Sequence, residues 1–467
     1  MISEALDLIL TASWIGLAIG FILIARPVLG GWLNPVSVYW SVWTCSIIVS
    51  RLPFVAGWPL AVETWMAMIL AAVIFTMVSL ILGFILSPRW FGKKPSRVSC
   101  LKPRLEQTYT TRTLLVVFAV CMALSVVQLY LQLRHLLGLV GSWHLLWTEG
   151  WKVRRVLVEE SSKVAWANLE VPFLTRITSY TLSLGGLALF LGAYLLAVKG
   201  LLVGIAPLSV EAIISMLRLE RYRFVVSFLL FGFSYWYFAR LRGRNSPREI
   251  HRRIKNRLRS RKLLAGIIAA VILVFVMWVP ISVRHLGIRG RDIALHTLWY
   301  LASPVLAFDV RVKNGEPFDG RTTGGASSFW GIAVWLARLG WDVDVPPYHY
   351  EPVRFQGGMQ TNVFTYLINP LDDWGWPGLV LLPAMMSAVA TFLHVMIVRY
   401  RRLAIVPVQS IMMATIAMSF YTFMLKDLYY MLLATATILL TPVLIRTRLK
   451  CPRLSSVTAL EEPGLQR

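Results

Sequence analysis

The chain has 467 residues, of which 57% are hydrophobic and only 15% charged, with a mean hydropathy of +0.64. Soluble domains carry about 25% charged residues, so a soluble globular enzyme is excluded, as is a disordered chain, and a polytopic membrane protein is left. The net charge of +24 would suggest nucleic acid in a soluble protein, but in a membrane protein it first asks which side of the bilayer holds it.

A membrane span needs about 20 mostly apolar residues. Eleven runs qualify: 5–25, 36–56, 60–86, 113–137, 173–198, 201–217, 223–239, 263–282, 376–398, 404–424 and 427–445. The first follows acidic Glu4 and Asp7 rather than a basic region, so it is expected to stay as a membrane helix and not to leave as a signal peptide. Residues 87–112 hold seven Lys/Arg against Glu106, and residues 240–262 hold eleven against Glu249. Both loops are therefore expected on the cytoplasmic side, which with eleven spans places the N-terminus outside and the C-terminus inside. The inner segments then carry the whole +24, and the outer half of the chain is balanced.

The expected fold is an all-α integral membrane domain over 1–467 with two long extracytoplasmic segments, 138–172 and 283–375. The first mixes Trp143, Trp147, Trp151 and Trp166 with Lys152, Arg154, Arg155, Glu159 and Glu160, a composition suited to helices lying at the membrane interface. The second is the longest polar stretch. Its apolar parts, 297–308 and 329–339, are too short to span and predict re-entrant or surface helices. Four dispersed cysteines make neither a disulfide framework nor a metal cluster.

Three places carry candidate chemistry. The basic loop 240–262 has the composition of an anionic-lipid or nucleic-acid site, but positive-inside bias alone accounts for it. Arg218, Arg221 and Arg223 begin a span on the outer side. Guanidiniums there bind phosphate bidentately, which makes a lipid diphosphate a natural ligand, or else they snorkel with Glu211 and Glu220 as partners. The 283–375 segment holds Arg284, His285, Arg289, Arg291, Asp292, Asp309, Arg311, Arg321 and Arg354, the last of which supplies further diphosphate-facing charge. Asp342-Val-Asp344 with His349 and Glu351 admits a metal reading, although a solvated loop explains the same residues. His349, Glu351, Asp309 and His285 are each able to act as general base for an acceptor hydroxyl. Thr361, Asn362 and Asp373 are sugar binders or scaffold; as scaffold, Asn362 and Asp373 would cap the span that begins near Trp376.

Within 218–378 a set of segments resembles the O-antigen polymerases, the oligosaccharide repeat unit polymerases of bacterial envelopes. They are Tyr300-Leu-Ala-Ser-Pro304 running to Phe308-Asp309, Gly325-Ala-Ser-Ser-Phe329, Thr361-Asn362-Val-Phe-Thr365, and Asp372-Asp373-Trp374-Gly375 ahead of Gly378. Phe364 stands where tyrosine is usual and Trp374 where phenylalanine is usual. The arginine-bearing helix start at Arg221 and Arg223 is also similar. The resemblance implies a GT-C-like fold in the bacterial inner membrane, with about 11 membrane helices, a periplasmic N-terminus and a cytoplasmic C-terminus. It further implies metal-independent, cofactor-free transfer of a glycan from an undecaprenyl-diphosphate-linked oligosaccharide, with a chain-length regulator and a flippase as pathway partners and no nucleic acid. The residues it and the chemistry single out are Arg223, Arg354, His349 and Asp309 for catalysis. For substrate binding they are Arg218, Arg221, Arg289, Arg291, Arg321, Tyr300, Asn362 and Asp373. A ligase using the same lipid-linked donor and a transporter of it are the alternatives; a transporter predicts charges and broken helices at mid-membrane.

Overall fold

The computed structural model describes residues 2–53, 59–86, 104–109, 111–142, 184–217, 222–243, 290–314, 322–346, 352–355 and 360–450. In chain order the helices are α1 (Ile2–Leu29), α2 (Pro35–Ser50), α3 (Val62–Ile85), α4 (Thr111–Val140), α5 (Leu187–Tyr194), α6 (Ala206–Leu217) and α7 (Tyr222–Gly243). They continue with α8 (Gly290–Lys313), α9 (Trp330–Arg338), α10 (Ile368–Trp374), α11 (Gly378–Val398), α12 (Val406–Met418) and α13 (Leu428–Leu444). A helix lies within or across each expected span except 263–282, which falls outside the described residues, as does 173–183 of the fifth. Among the described residues, five helical stretches are long and apolar enough to cross a membrane: Glu4–Leu29, Val62–Ile85, Arg112–Leu131, Tyr222–Arg242 and Gly378–Val398; the other apolar helices described are shorter. The chain is thus a helical membrane protein. Two short antiparallel ribbons accompany the helices: β1 (Arg104–Tyr109) with β4 (Ile445–Lys450), and β2 (Val353–Arg354) with β3 (Gln360–Thr361). The first ribbon sets Glu106 opposite Arg448 and so joins two segments that the charge bias places on one side.

Local sequence explains how the helices begin and end. Pro27 near the end of α1 cannot continue the helix ladder. Gly30 and Gly31 follow, with φ of +83° and +150°, and both donate to the Arg26 carbonyl. Asn34 then caps α2: its side chain accepts from the Ser37 amide at 3.0 Å, with Pro35 in the first helical position. α2 stops at Ser50, short of the expected residue 56, because Arg51 turns to bind Asp7 at 2.9 Å. α12 likewise ends at Met418, short of the expected 424, in a turn of apolar and aromatic residues that composition alone does not separate from a helix.

Packing inside the bundle follows the rules for helices in lipid, where small residues and hydroxyls replace the hydrophobic driving force. α11 lies on α3 through Ser79, Ser387 and Thr391, whose hydroxyls bond one another at 2.7 and 2.8 Å. α7 meets α12 through Ser234 and Ser410 at 2.8 Å. A β-carbon on Gly83 would meet the Leu29 side chain at 2.6 Å and Val28 at 2.8 Å, so α1 and α3 approach closely there.

The helix ends sort into two groups. At one end lie the C-termini of α1, α3, α7 and α11, together with the turn after α5. Their free carbonyls are taken up by basic side chains: Arg240 donates to Gly30, Arg242 to Ala197 at 3.2 Å, and Arg399 to both Val28 and Gly83. Cations at helix C-termini also complement the helix dipole. So these arginines, expected to act only through orientation, are structural caps as well. His394 joins them. Its Nε2 faces the Leu29 carbonyl at 3.1 Å and must therefore carry the proton, which leaves Nδ1 to accept from Tyr237 Oη at 2.8 Å; Gln409 Nε2 donates to the same phenol. These bonds hold α1, α7, α11 and α12 together.

Candidate functional site

The other end of the bundle, at the N-termini of α1, α3, α7 and α11, carries the candidate chemistry. Two buried carboxylates secure the start of α3. Asp7 accepts from the Leu60 amide at 3.1 Å, Trp65 Nε1 at 2.8 Å and Arg51. Asp309, fully buried, accepts from the Ala61 amide at 2.7 Å and Thr64 Oγ1 at 2.8 Å, and faces Lys313 Nζ at 2.6 Å. Anions are favourable at a helix N-terminus; Oδ1 makes both bonds to α3, and Oδ2 has the ion pair with Lys313 of its own helix. Asp309, expected as a general base, thus also clamps α8 to α3. Burial pulls the Arg51 guanidinium below its ordinary range against the opposing charges of Asp7 and Asp309, and arginine remains charged throughout.

Beside this joint, two of the segments singled out in the sequence, 325–329 and 372–378, close on one another. Asp373, buried at the end of α10, accepts from the Thr323 hydroxyl, from the Ser327 amide at 2.8 Å and from the Ser328 amide at 2.7 Å. It therefore caps the 323–329 turn and not the span at 376. That span has Pro377 at its N-cap with no side-chain bond, and Asn362 is exposed ahead of it. The expected capping role thus falls on a different partner, 45 to 50 residues away in sequence. Ser327 Oγ donates to Asn369 Oδ1, and the backbone of Thr323 and Gly324 donates to Asp372 and Asp373. Gly325 has φ +106° against the Trp374 ring, and a β-carbon on Gly378 would sit 1.9 Å from the Pro370 carbonyl oxygen. The glycines of these segments are thus demanded by geometry. On the third segment, Phe364 receives the Arg311 guanidinium at 5.4 Å, which ties it to α8. Tyr366 donates its amide to the Ser419 carbonyl at 2.9 Å and meets Tyr39 hydroxyl to hydroxyl.

Ser419 opens the 419–427 turn between α12 and α13, and this turn connects the cluster to the arginine at the start of α7. Tyr421 stacks on Tyr222 at 5.7 Å. Next to Tyr222, Arg223 is gripped side-on by buried Glu211: Nε to Oε2 at 2.7 Å and Nη2 to Oε1 at 3.1 Å. The carboxylate occupies one edge of the guanidinium, and Nη1 is left without a partner among the described residues. The phenols of Tyr429 and Tyr430 lie within the field of both charges. At the same turn, burial pushes the Lys426 ammonium below its usual range, with Asp427 opposing.

Arg354 is exposed on β2, opposite Gln360, and no described contact joins it to Arg223. It is anchored through its neighbour Phe355, which meets Trp299 of α8 edge-on at 5.0 Å. Tyr300 is half-buried on α8, and Arg291 stands in the first turn of that helix. Asp342 and Asp344 are exposed on an extended segment. Arg218, Arg221, Arg289, Arg321 and His349 lie outside the described residues, as do Glu351 and His285.

The structure adds residues that the sequence reading passed over. Asp7 was noted there only as an acid ahead of the first span. An acid within the first apolar turns of a membrane helix is the signal that could have found it, since such a charge needs a partner. Ser419 carries no sequence signal, because its importance comes from three segments meeting at it. No family model, curated protein or solved structure matches the chain.

Proposed function

We propose that this protein polymerises polyprenyl-diphosphate-linked oligosaccharide repeat units into O-antigen or a related surface polysaccharide at the outer face of the bacterial inner membrane. One observation carries the reading. The 325–329 and 372–378 segments are bonded to each other through Asp373, Phe364 of the 361–365 segment receives Arg311 just past the 300–309 segment, and the 419–427 turn joins Tyr366 to Tyr222, the neighbour of the Glu211-held Arg223.

The chemistry follows from the residue types. The acceptor hydroxyl of an incoming repeat attacks the anomeric carbon of the lipid-linked chain, and the bond from that carbon to the diphosphate oxygen breaks. The hydroxyl proton passes to a base. The departing diphosphate gathers negative charge, which fixed guanidiniums stabilise without reorganising. Glu211 fixes Arg223 by its Nε edge and leaves Nη1 for a phosphate oxygen. Arg354, on the exposed β2–β3 ribbon, adds charge from the loop side. Asp373 serves as scaffold and Asp309 holds α3 through Oδ1, and His349, Glu351, His285 and Asp309 are the candidates for the base.

The test is the surface polysaccharide of a strain lacking the gene, run on a gel. Loss of a polymerase leaves carriers bearing a single repeat. Absence of all repeat-bearing product would assign the protein to ligation or transport instead, and persistence of long chains would refute the reading.

A further inference from the structure

α9 and the residues behind it form a small closed lobe. Its start is pinned by Asp373, which holds the Ser327 and Ser328 amides. Its end is a Schellman turn: Gly340, with φ +86°, donates to the Ala337 carbonyl at 3.1 Å, and Trp341 donates back to Leu336 at 3.2 Å. Trp330 Nε1 then bonds the Pro346 carbonyl at 3.0 Å and closes the loop. The outcome is an apolar edge turned away from the protein. Trp335 and Leu339, one helical turn apart, are 51% and 56% exposed, and the turn brings Trp341 back at 64%.

The height of this edge relative to the bilayer is fixed by its anchor. Asp373 precedes the first residue of α11, Gly378, by one turn, and α11 at once exposes Val380, Leu381 and Met385 to its surroundings. α9 also packs on the turn Met424–Lys426 and on α13. The lobe therefore stands where spanning helices enter the membrane. Tryptophan prefers that depth, and an apolar helix face lying in the interface plane buries itself there. Asp342 and Asp344, both exposed and directly following Trp341, stop it from going deeper.

We propose that the Trp335–Leu339–Trp341 edge is a membrane-surface anchor, seated at the boundary between headgroups and acyl chains. The charges beside the edge are of both signs, exposed Asp342 and Asp344 and half-buried Arg338 in the last turn of α9, so its partner is the lipid interface itself, held by apolar burial. This rests only on the chain spanning a membrane and not on the polymerase reading.

Nitroxide labels on Trp335→Cys, Leu339→Cys and Trp341→Cys, in full-length protein with its native cysteines replaced by serine and reconstituted in phosphatidylcholine vesicles, test it. The anchor predicts greater relaxation by oxygen than by a water-soluble nickel chelate at all three positions, with the reverse at Asp344→Cys. Nickel accessibility equal to that of the Asp344→Cys label would overturn it. Protection from both reagents would too, since that means a second protein copy covers the edge. Should the serine background fail to insert, a benzophenone amino acid at position 335 of the otherwise native chain gives the same decision: lipid adducts support the anchor, and protein adducts or none refute it.

Discussion

Arg223→Lys is expected to lower polymer synthesis by about 10²–10³-fold, the usual cost of losing one preorganised donor to developing charge. The protein should remain in the membrane at nearly its normal level. Lysine keeps a positive charge for Glu211, but an ammonium is a point donor and cannot bond a carboxylate along one edge while offering another to phosphate. The choice of lysine over alanine matters. Glu211 is 4% exposed, and removing one member of a buried ion pair leaves the other charge uncompensated, at about 3–5 kcal/mol. Arg223→Ala would therefore mix lost folding with lost chemistry. The double change Arg223→Gln with Glu211→Gln removes both charges and should fold yet leave only single-repeat product. Chain-length profiles at matched membrane protein level decide the matter. Wild-type chain length in Arg223→Lys would remove this residue from the reaction.

Asp373→Ala carries the second large effect, and its character is different. Two buried donors, the Ser327 and Ser328 amides, and the part-buried Thr323 hydroxyl lose their acceptor. An unsatisfied buried donor costs about 1–3 kcal/mol, so the two amides together cost about 2–6 kcal/mol, a large share of the stability of a typical domain. The 323–346 lobe should open to protease and the melting temperature should fall together with activity. Asp373→Asn, which keeps one carbonyl oxygen, should lie between. If Asp373→Ala instead abolished polymer with melting temperature and protease resistance unchanged, Asp373 would belong to the reaction and not to the scaffold.

The two sites differ in how far sequence could reach them. Membrane helices are legible because a span must be a long apolar run, and the 3.6-residue period is not even needed. Their ends are less so. The stop at Ser50 depends on a bond from Arg51 to Asp7, and the stop at Met418 on a turn of apolar residues around Ser419. Arg223 stood out as a cation at a helix start, and Glu211, twelve residues earlier, was a natural partner. Which edge of the guanidinium that partner takes is a matter of geometry alone. Asp309 and Asp373 were visible as charges but not as clamps, because their partners are 245 to 248 and 45 to 50 residues away. Arg240, Arg242 and Arg399 read as orientation charge because helix C-termini become neighbours only once the bundle has formed. The glycines of the resemblance segments have the converse lesson: Gly378 is specified by the Pro370 carbonyl against it, a constraint that sequence shows only as a motif.

The most direct measurement is reconstitution. Purified protein in lipid vesicles, given only polyprenyl-diphosphate-linked repeat units, should build a ladder of longer lipid-linked glycans and release one polyprenyl diphosphate for each linkage formed. Repeat units that stay single, or that merely cross the bilayer unchanged, would contradict the account.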